Sequence, residues 1–145
     1  MTPDVNVLLA AARADHPHHE MARACLRDAL AATATGTAFS LMPMVVASFL
    51  RLVTSPKIFV LPTPIDEAVA FVDALLASPG VRMSDLGPEW PELKQLCVDK
   101  SLSGNDLPDA WLSAAVIHRG EHLVTFDRDF KKLLAPRQFT LLELV

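Results

Sequence analysis

Three aspartates fall where the chain passes between extended and helical structure, and together they could hold a hard divalent cation. Asp4 sits where a brief N-terminal strand would meet its helix, Asp127 directly follows the apolar run His122 to Phe126, and Asp109 falls in the first turn of a helix. Asp106 lies one turn before Asp109 and Ser113 one turn after it, so these share a helix face. In an open parallel sheet, ligands sit at the carboxyl ends of the strands. Carboxylates brought together from distant parts of a chain repel one another, and Mg²⁺ or Mn²⁺ is the usual reason for their convergence. Such ions take oxygen ligands in octahedral geometry and keep several waters. A cation held this way activates a water and steadies the leaving oxygen of a phosphodiester. A plainer reading stands beside this one. Asp is a favoured N-cap, and Asp4, Asp106 and Asp129 all precede candidate helices, while Asp109 would suit the helix dipole. Taken singly, each fits a cap better than a ligand.

Hydrophobic periodicity supplies the elements that must position these acids. Val5, Leu8, Leu9 and Ala12 recur at i, i+3, i+4 and i+7, which predicts a helix starting right after Asp4, and Pro3 biases Thr2 toward an extended conformation. Met21 to Leu30 marks a second helix, and Pro43 suits the start of a third whose buried face carries Val46, Phe49, Leu50 and Val53. A fourth spans Ile65 to Leu76, a fifth Glu89 to Val98, and a sixth runs from Leu107 through Ala115 to a stop at Gly120. Strands are expected at Ala38 to Leu41, Val81 to Met83, His122 to Phe126 and Phe139 to Leu144, with a helical turn over Asp129 to Leu134. This alternation predicts one α/β domain over residues 1–145, with a short, mainly parallel sheet flanked by helices. No repeat, linker or domain boundary interrupts it.

Composition excludes several classes. At 145 residues, 51% hydrophobic and 21% charged, the chain is one ordinary domain with a core, not a disordered segment. The longest apolar stretch, Ala38 to Leu50, is broken by Ser40, Pro43 and Ser48 and falls short of the roughly 18 residues a bilayer span needs. Asp4 and the lack of a basic leader argue against a secretory signal, so a cytoplasmic protein is expected. Cys25 and Cys97 have no paired spacing, as in a reducing compartment. The net charge of −4 is not that of a simple electrostatic nucleic-acid binder. Contact with RNA or DNA would need the carboxylates offset locally, as bound divalent cations would do.

Three blocks carry a family resemblance. Asp4-Val5-Asn6-Val7-Leu8-Leu9, Gly104-Asn105-Asp106-Leu107-Pro108-Asp109-Ala110 and Leu123-Val124-Thr125-Phe126-Asp127-Arg128-Asp129-Phe130 resemble the diagnostic blocks of the PIN-domain ribonucleases. The likeness is in particular to the VapC-type toxins of bacterial toxin–antitoxin pairs. Phe49 to Pro56 is similar to a block common in one branch of those toxins, and the match runs nearly end to end. The resemblance implies a compact α/β/α fold, an acidic site for Mg²⁺ or Mn²⁺, and endonucleolytic hydrolysis of RNA. Carried over by position, Asp4 and Asp109 would be metal ligands and Asp127 a ligand directly or through water, with Asn6 and Thr125 supporting the first and last acids. A homodimer is implied too, as is a small antitoxin whose C-terminal segment places a basic or bulky side chain in the acidic site.

One position departs from the pattern. Many PIN nucleases carry a Glu on the third helix, three residues before a basic position like Arg51; here that residue is Ser48, and no acid occurs between Asp28 and Asp66. Asp106, on the face of Asp109, is the favoured fourth carboxylate, with Asp129 or water as substitutes. The departure keeps open a catalytically weak or inactive PIN-like module that binds RNA or protein.

Arg51 suits an RNA phosphate or an acid at the site rim, and an ordinary exposed arginine equally well. Arg128, Lys131, Lys132 and Arg137 form the densest basic stretch, a candidate phosphate-tracking surface beside Asp127. His16, His18 and His19 lack zinc spacing and read as a solvated loop, and His118 and His122 as structural or surface residues. Trp90 and Trp111 read as core or interface packing in preference to base stacking. No phosphate-cradling glycine motif or nucleophile elbow is present, and neither Ser48 nor Ser113 has a nearby His for acyl transfer.

Overall fold

Asp4 turns the chain from strand to helix. Its backbone is extended (φ −78°, ψ 164°) and its carboxylate accepts the Val5 N–H at 2.7 Å, so β1 (Thr2–Pro3) passes straight into α1 (Val5–Ala12). The computed structural model describes residues 1–143. After α1 come α2 (His19–Ala32), β2 (Phe39–Leu41), α3 (Pro43–Val53), α4 (Ile65–Leu76), β3 (Val81–Met83), α5 (Trp90–Asp99), α6 (Asp106–Arg119), β4 (Leu123–Thr125) and β5 (Phe139–Leu141). Short 3₁₀ turns occupy Thr33–Thr35, Arg128–Lys132 and Pro136–Gln138. Pro43 opens α3 at its first turn, where a missing N–H costs nothing, and Gly120 closes α6 with φ 62°.

Among the described residues all strand pairs are parallel: β1 with β4, β4 with β5, and β2 with β3. The two ladders are joined through Met1. Its ammonium donates to the Ala38 carbonyl, and its own carbonyl accepts the Ser40 N–H at 3.0 Å, which is the parallel pattern around Phe39. The strand order is therefore 3-2-1-4-5. The chain builds outward from β1 through β2 to β3, then crosses to the other side of β1 for β4 and β5. The reversal falls between β1 and β4, and their carboxyl ends border the crevice where such sheets bind ligands.

The core lies on these strands. Phe39, Leu41, Phe49, Leu123 and Phe130 are fully or almost fully buried, and α6 passes through the interior with the small-residue run Ala114-Ala115-Val116. Each large apolar side chain so buried contributes about 1.5–3 kcal/mol, and this burial holds strands of only two or three residues in register. The predicted α/β architecture is the one observed. Element ends differ: β4 is two residues shorter than the apolar run, and α5 begins at Trp90, with Glu89 at the position just before it and its carboxylate turned to Gly87 and Trp111. β5 stops at Leu141, while Leu144, the last residue of the expected strand, lies outside the described residues. Among the described residues no helix is long and apolar enough to cross a membrane.

Candidate active site at the carboxyl ends of the strands

Asp4 is the best-anchored acid in the crevice. It is 5% exposed; its Oδ1 accepts the Val5 N–H, and its Oδ2 accepts both the Thr125 hydroxyl at 2.7 Å and the Asn6 amide at 3.0 Å. Asn6 Nδ2 also donates to Thr125 Oγ1 at 3.1 Å, and Asn6 Oδ1 accepts the Phe126 N–H at 3.2 Å. Thr125 Oγ1 accepts the Asp127 N–H at 2.9 Å as well. The residues leaving β1 are thus tied to those leaving β4. A carboxylate oxygen can take two donors, so Oδ1 of Asp4, with one, keeps a lone pair for a further ligand. Burial raises the Asp4 pKa above the usual carboxylate value; the Thr125, Val5 and Asn6 hydrogen bonds oppose this, and the charge of Asp127 adds to it.

Asp109 is half-buried in the first turn of α6 and its pKa is pushed up to about 6, first by burial and then by the charges of Asp4, Asp127, Asp129 and Asp106. These acids therefore act on one another across the crevice. A stability effect follows for protein stripped of metal. As pH rises from 3.8, an unfolded Asp109 loses its proton first, while the folded one keeps it until about 6. Folding stability from this residue is present below that window and is lost as pH climbs through it. Asp109→Asn is accordingly predicted to gain stability over wild type between about pH 4 and about pH 7 in urea titrations with chelator. A difference that stays constant over that range would contradict the clustering.

Asp109 stands between two clefts. One, of about 260 Å³, is lined by Asp4, Ser48, Arg51, Pro108 and Trp111 among others. The second, of about 600 Å³, is lined by Lys100, Asn105, Asp106, Asp129 and Lys132. Ser48 therefore faces the same cleft as Asp4. Among the described residues no three Asp, Glu, His or Cys side chains stand close enough to cage an ion unaided. The donors present are oxygens and few, which fits a cation bound by one or two carboxylates that keeps several waters.

The remaining sequence candidates divide. The cap reading holds for Asp4 but not for Asp106 or Asp129: Asn105 precedes α6, and Asp127 caps the 3₁₀ turn that contains Asp129, its Oδ1 accepting the Asp129 N–H at 2.8 Å. Asp106 is exposed, with Oδ2 3.4 Å from the Ser103 N–H. Lys132 pairs with Asp129 at 2.8 Å, and Arg128 with Glu143 at 3.3 Å, while Lys131 is exposed. Arg51 reaches the smaller cleft. Of the core and interface readings of Trp90 and Trp111, the core one is corrected, since they are 56% and 44% exposed. The histidines are not a solvated loop: His18 stacks on Phe126 with ring centroids 4.7 Å apart, and His19 Nδ1 meets the Ala10 carbonyl at 2.8 Å. Lys100 and Glu89 were not singled out by sequence; both belong to the α5 region, and only its packing on α6 brings them to the site.

Fold and site define a class, an α/β domain with aspartates lining the switch-point crevice of a parallel sheet. A profile of the PIN domain matches residues 1–134, and the chain belongs to that family. It is 41% identical to Ribonuclease VapC31 of Mycobacterium tuberculosis over 135 residues, covering 92% of this chain and 93% of the relative. Identity and coverage are the same for Ribonuclease VapC25 of that organism. Two solved structures share the fold. VapBC2 from Rickettsia felis bound to a DNA fragment from their promoter aligns with TM-score 0.63 at 19% identity, over 95% of this chain and 94% of that one. Mycobacterium tuberculosis VapC20, described as a Sarcin-Ricin loop cleaving toxin, aligns with TM-score 0.62 at 18% identity, over 90% and 92%.

Proposed function

We propose that this chain is an endoribonuclease that hydrolyses RNA phosphodiester bonds with Mg²⁺ or Mn²⁺ and acts as the toxin of a toxin–antitoxin pair. The observation that carries the reading is the pair Asp4 and Asp109 facing one cleft at the switch point, in a chain 41% identical over nearly its whole length to relatives named ribonucleases. In this proposal the domain extends through residue 145 and works in the cytoplasm as a homodimer, inhibited by a small antitoxin. An acidic crevice in a chain of net charge −4 suits a cationic plug from such a partner.

Asp4 and Asp109 would hold the cation, with Asp127 contributing directly or through water and Asp106 lining the approach. When bound, the ion would supply an activated water and neutralise charge on the phosphoryl oxygens. Thr125 and Asn6 fix the Asp4 carboxylate in one orientation, so no reorganisation is needed when substrate arrives. Arg51, at the cleft edge, would bind a substrate phosphate, and Lys131 and Lys132 would lie along the outgoing strand. The testing experiment is cleavage of a structured RNA by purified protein with Mg²⁺ or Mn²⁺ and with EDTA. Cutting that chelation stops and added metal restores is expected; cutting indifferent to chelator would overturn the metal assignment.

A second reading rests on Ser48, which gives the cleft a hydroxyl where many PIN nucleases have a carboxylate. It makes the chain a catalytically weak or inactive module binding RNA or protein. Absence of cutting with either metal, reversed by Ser48→Glu, would favour it.

A further inference from the structure

Trp111 follows Asp109 by two residues on α6 and lines the same cleft of about 260 Å³ as Asp4, Asp109 and Arg51. The indole is 44% exposed. Its Nε1–H donates to Glu89 Oε1 at 2.5 Å, and Glu89 is itself 1% exposed. Burying a carboxylate is costly unless its lone pairs are satisfied. Here the Gly87 N–H lies 3.0 and 2.9 Å from the two Glu89 oxygens, and the amino end of α5 adds its dipole. The indole's single donor is thus spent on Glu89 and its orientation fixed from behind. What Trp111 offers the cleft is ring surface rather than a hydrogen bond.

Resting on the ribonuclease reading above, we propose that Trp111 is the stacking platform for one unpaired base of the RNA substrate, beside the bond cut at Asp4 and Asp109. Glu89 is then a positioning residue acting through the indole. The cleft, at about 260 Å³, is on the scale of a single nucleoside, and the charge of Arg51 in its wall suits the adjoining phosphate. Proteins that read single-stranded RNA splay bases onto aromatic rings, and stacking accepts any base because each has a π-face. A platform of this kind selects unpaired over paired RNA. It also gives local affinity to a chain whose net charge of −4 supplies no general attraction to nucleic acid.

The test has two arms, with folding of each variant verified by thermal melting. In steady-state cleavage of an RNA with an unpaired loop, Trp111→Ala is expected to raise KM about 5- to 100-fold with little change in kcat. Trp111→Phe, which keeps a ring, should retain most of the wild-type KM, and Glu89→Gln should fall between. In the binding arm, Trp90→Phe leaves Trp111 as the lone tryptophan of the two in the chain. With chelator present, its emission should be quenched by single-stranded RNA and not by a duplex of the same sequence. Wild-type cleavage with an unchanged KM in Trp111→Ala overturns the platform and leaves the nuclease reading standing. Quenching without cleavage by the wild type keeps the platform and overturns the nuclease reading. Neither quenching nor cleavage overturns both, and emission that responds to a protein partner but to no RNA gives the indole to a protein interface and overturns the platform.

Discussion

Asp109→Asn is expected to abolish RNA cleavage, lowering the rate by on the order of a thousandfold, and to leave the fold intact. The substitution is nearly isosteric, so α6 and its buried run Ala114-Ala115-Val116 keep their packing. What it removes is the charge that faces Asp4 across the smaller cleft and Asp106 and Asp129 across the larger one. Asp109 stands between the two and is raised by burial and by four neighbouring carboxylates, the position of an acid whose repulsion a cation relieves. Loss of that charge is therefore expected to weaken cation binding while making the metal-free protein more stable, a gain that builds from about pH 4 and is largely complete above about pH 6. Cleavage rates and melting temperatures measured on one preparation check both halves. Full cleavage by the variant would remove Asp109 from the site, and a failure to fold would show that the carboxylate is structural.

The second large effect is expected at Thr125, which touches no substrate. Thr125→Val keeps the shape of a fully buried side chain and deletes one hydroxyl. That hydroxyl donates to Asp4, accepts from Asn6 and accepts the Asp127 N–H, so one atom spans all three elements of the network. Groups that orient metal-binding side chains typically contribute 10- to 100-fold to affinity or activity. Cleavage by Thr125→Val should fall by about that factor, with part of the loss recovered at high Mg²⁺. Stability should fall by about 1–3 kcal/mol, because the Asp127 N–H is left without its acceptor. A variant that cleaves normally at low Mg²⁺ would mean that Asp4 needs no orienting partner.

Crevice residues are legible in the sequence where chemistry and chain position coincide. Asp4, Asn6, Thr125 and Asp127 each lie within three residues of a strand end, so strand prediction alone carries them to the crevice. Asp109 is legible because it sits in the first turn of a helix marked by the run from Leu107 through Ala115 and by its stop at Gly120. Contacts between elements distant in sequence could not be read this way. Glu89 looks like an ordinary helix-start acid, and only the packing of α5 on α6 sets it against Trp111, 22 residues away. Trp111 has apolar neighbours at helical spacing, which suggested packing, yet they face the core while the indole turns to the cleft. Lys100 likewise reaches the larger cleft through the loop that joins those two helices. His18 carried no spacing signal either, because its partner Phe126 lies beyond β4 and meets it only once α2 has folded back on α1.

Asp4 and Asp109 are expected to serve hydrolysis by water and not attack by the neighbouring ribose hydroxyl. The ends of the RNA fragments decide it. End-labelled products from a reaction with Mg²⁺ should carry a 5′-phosphate and a 3′-hydroxyl, as attack of water on phosphorus with departure of the 3′ oxygen leaves them. A 2′,3′-cyclic phosphate on the upstream fragment would show that the ribose itself is the nucleophile and would contradict the role given to these aspartates.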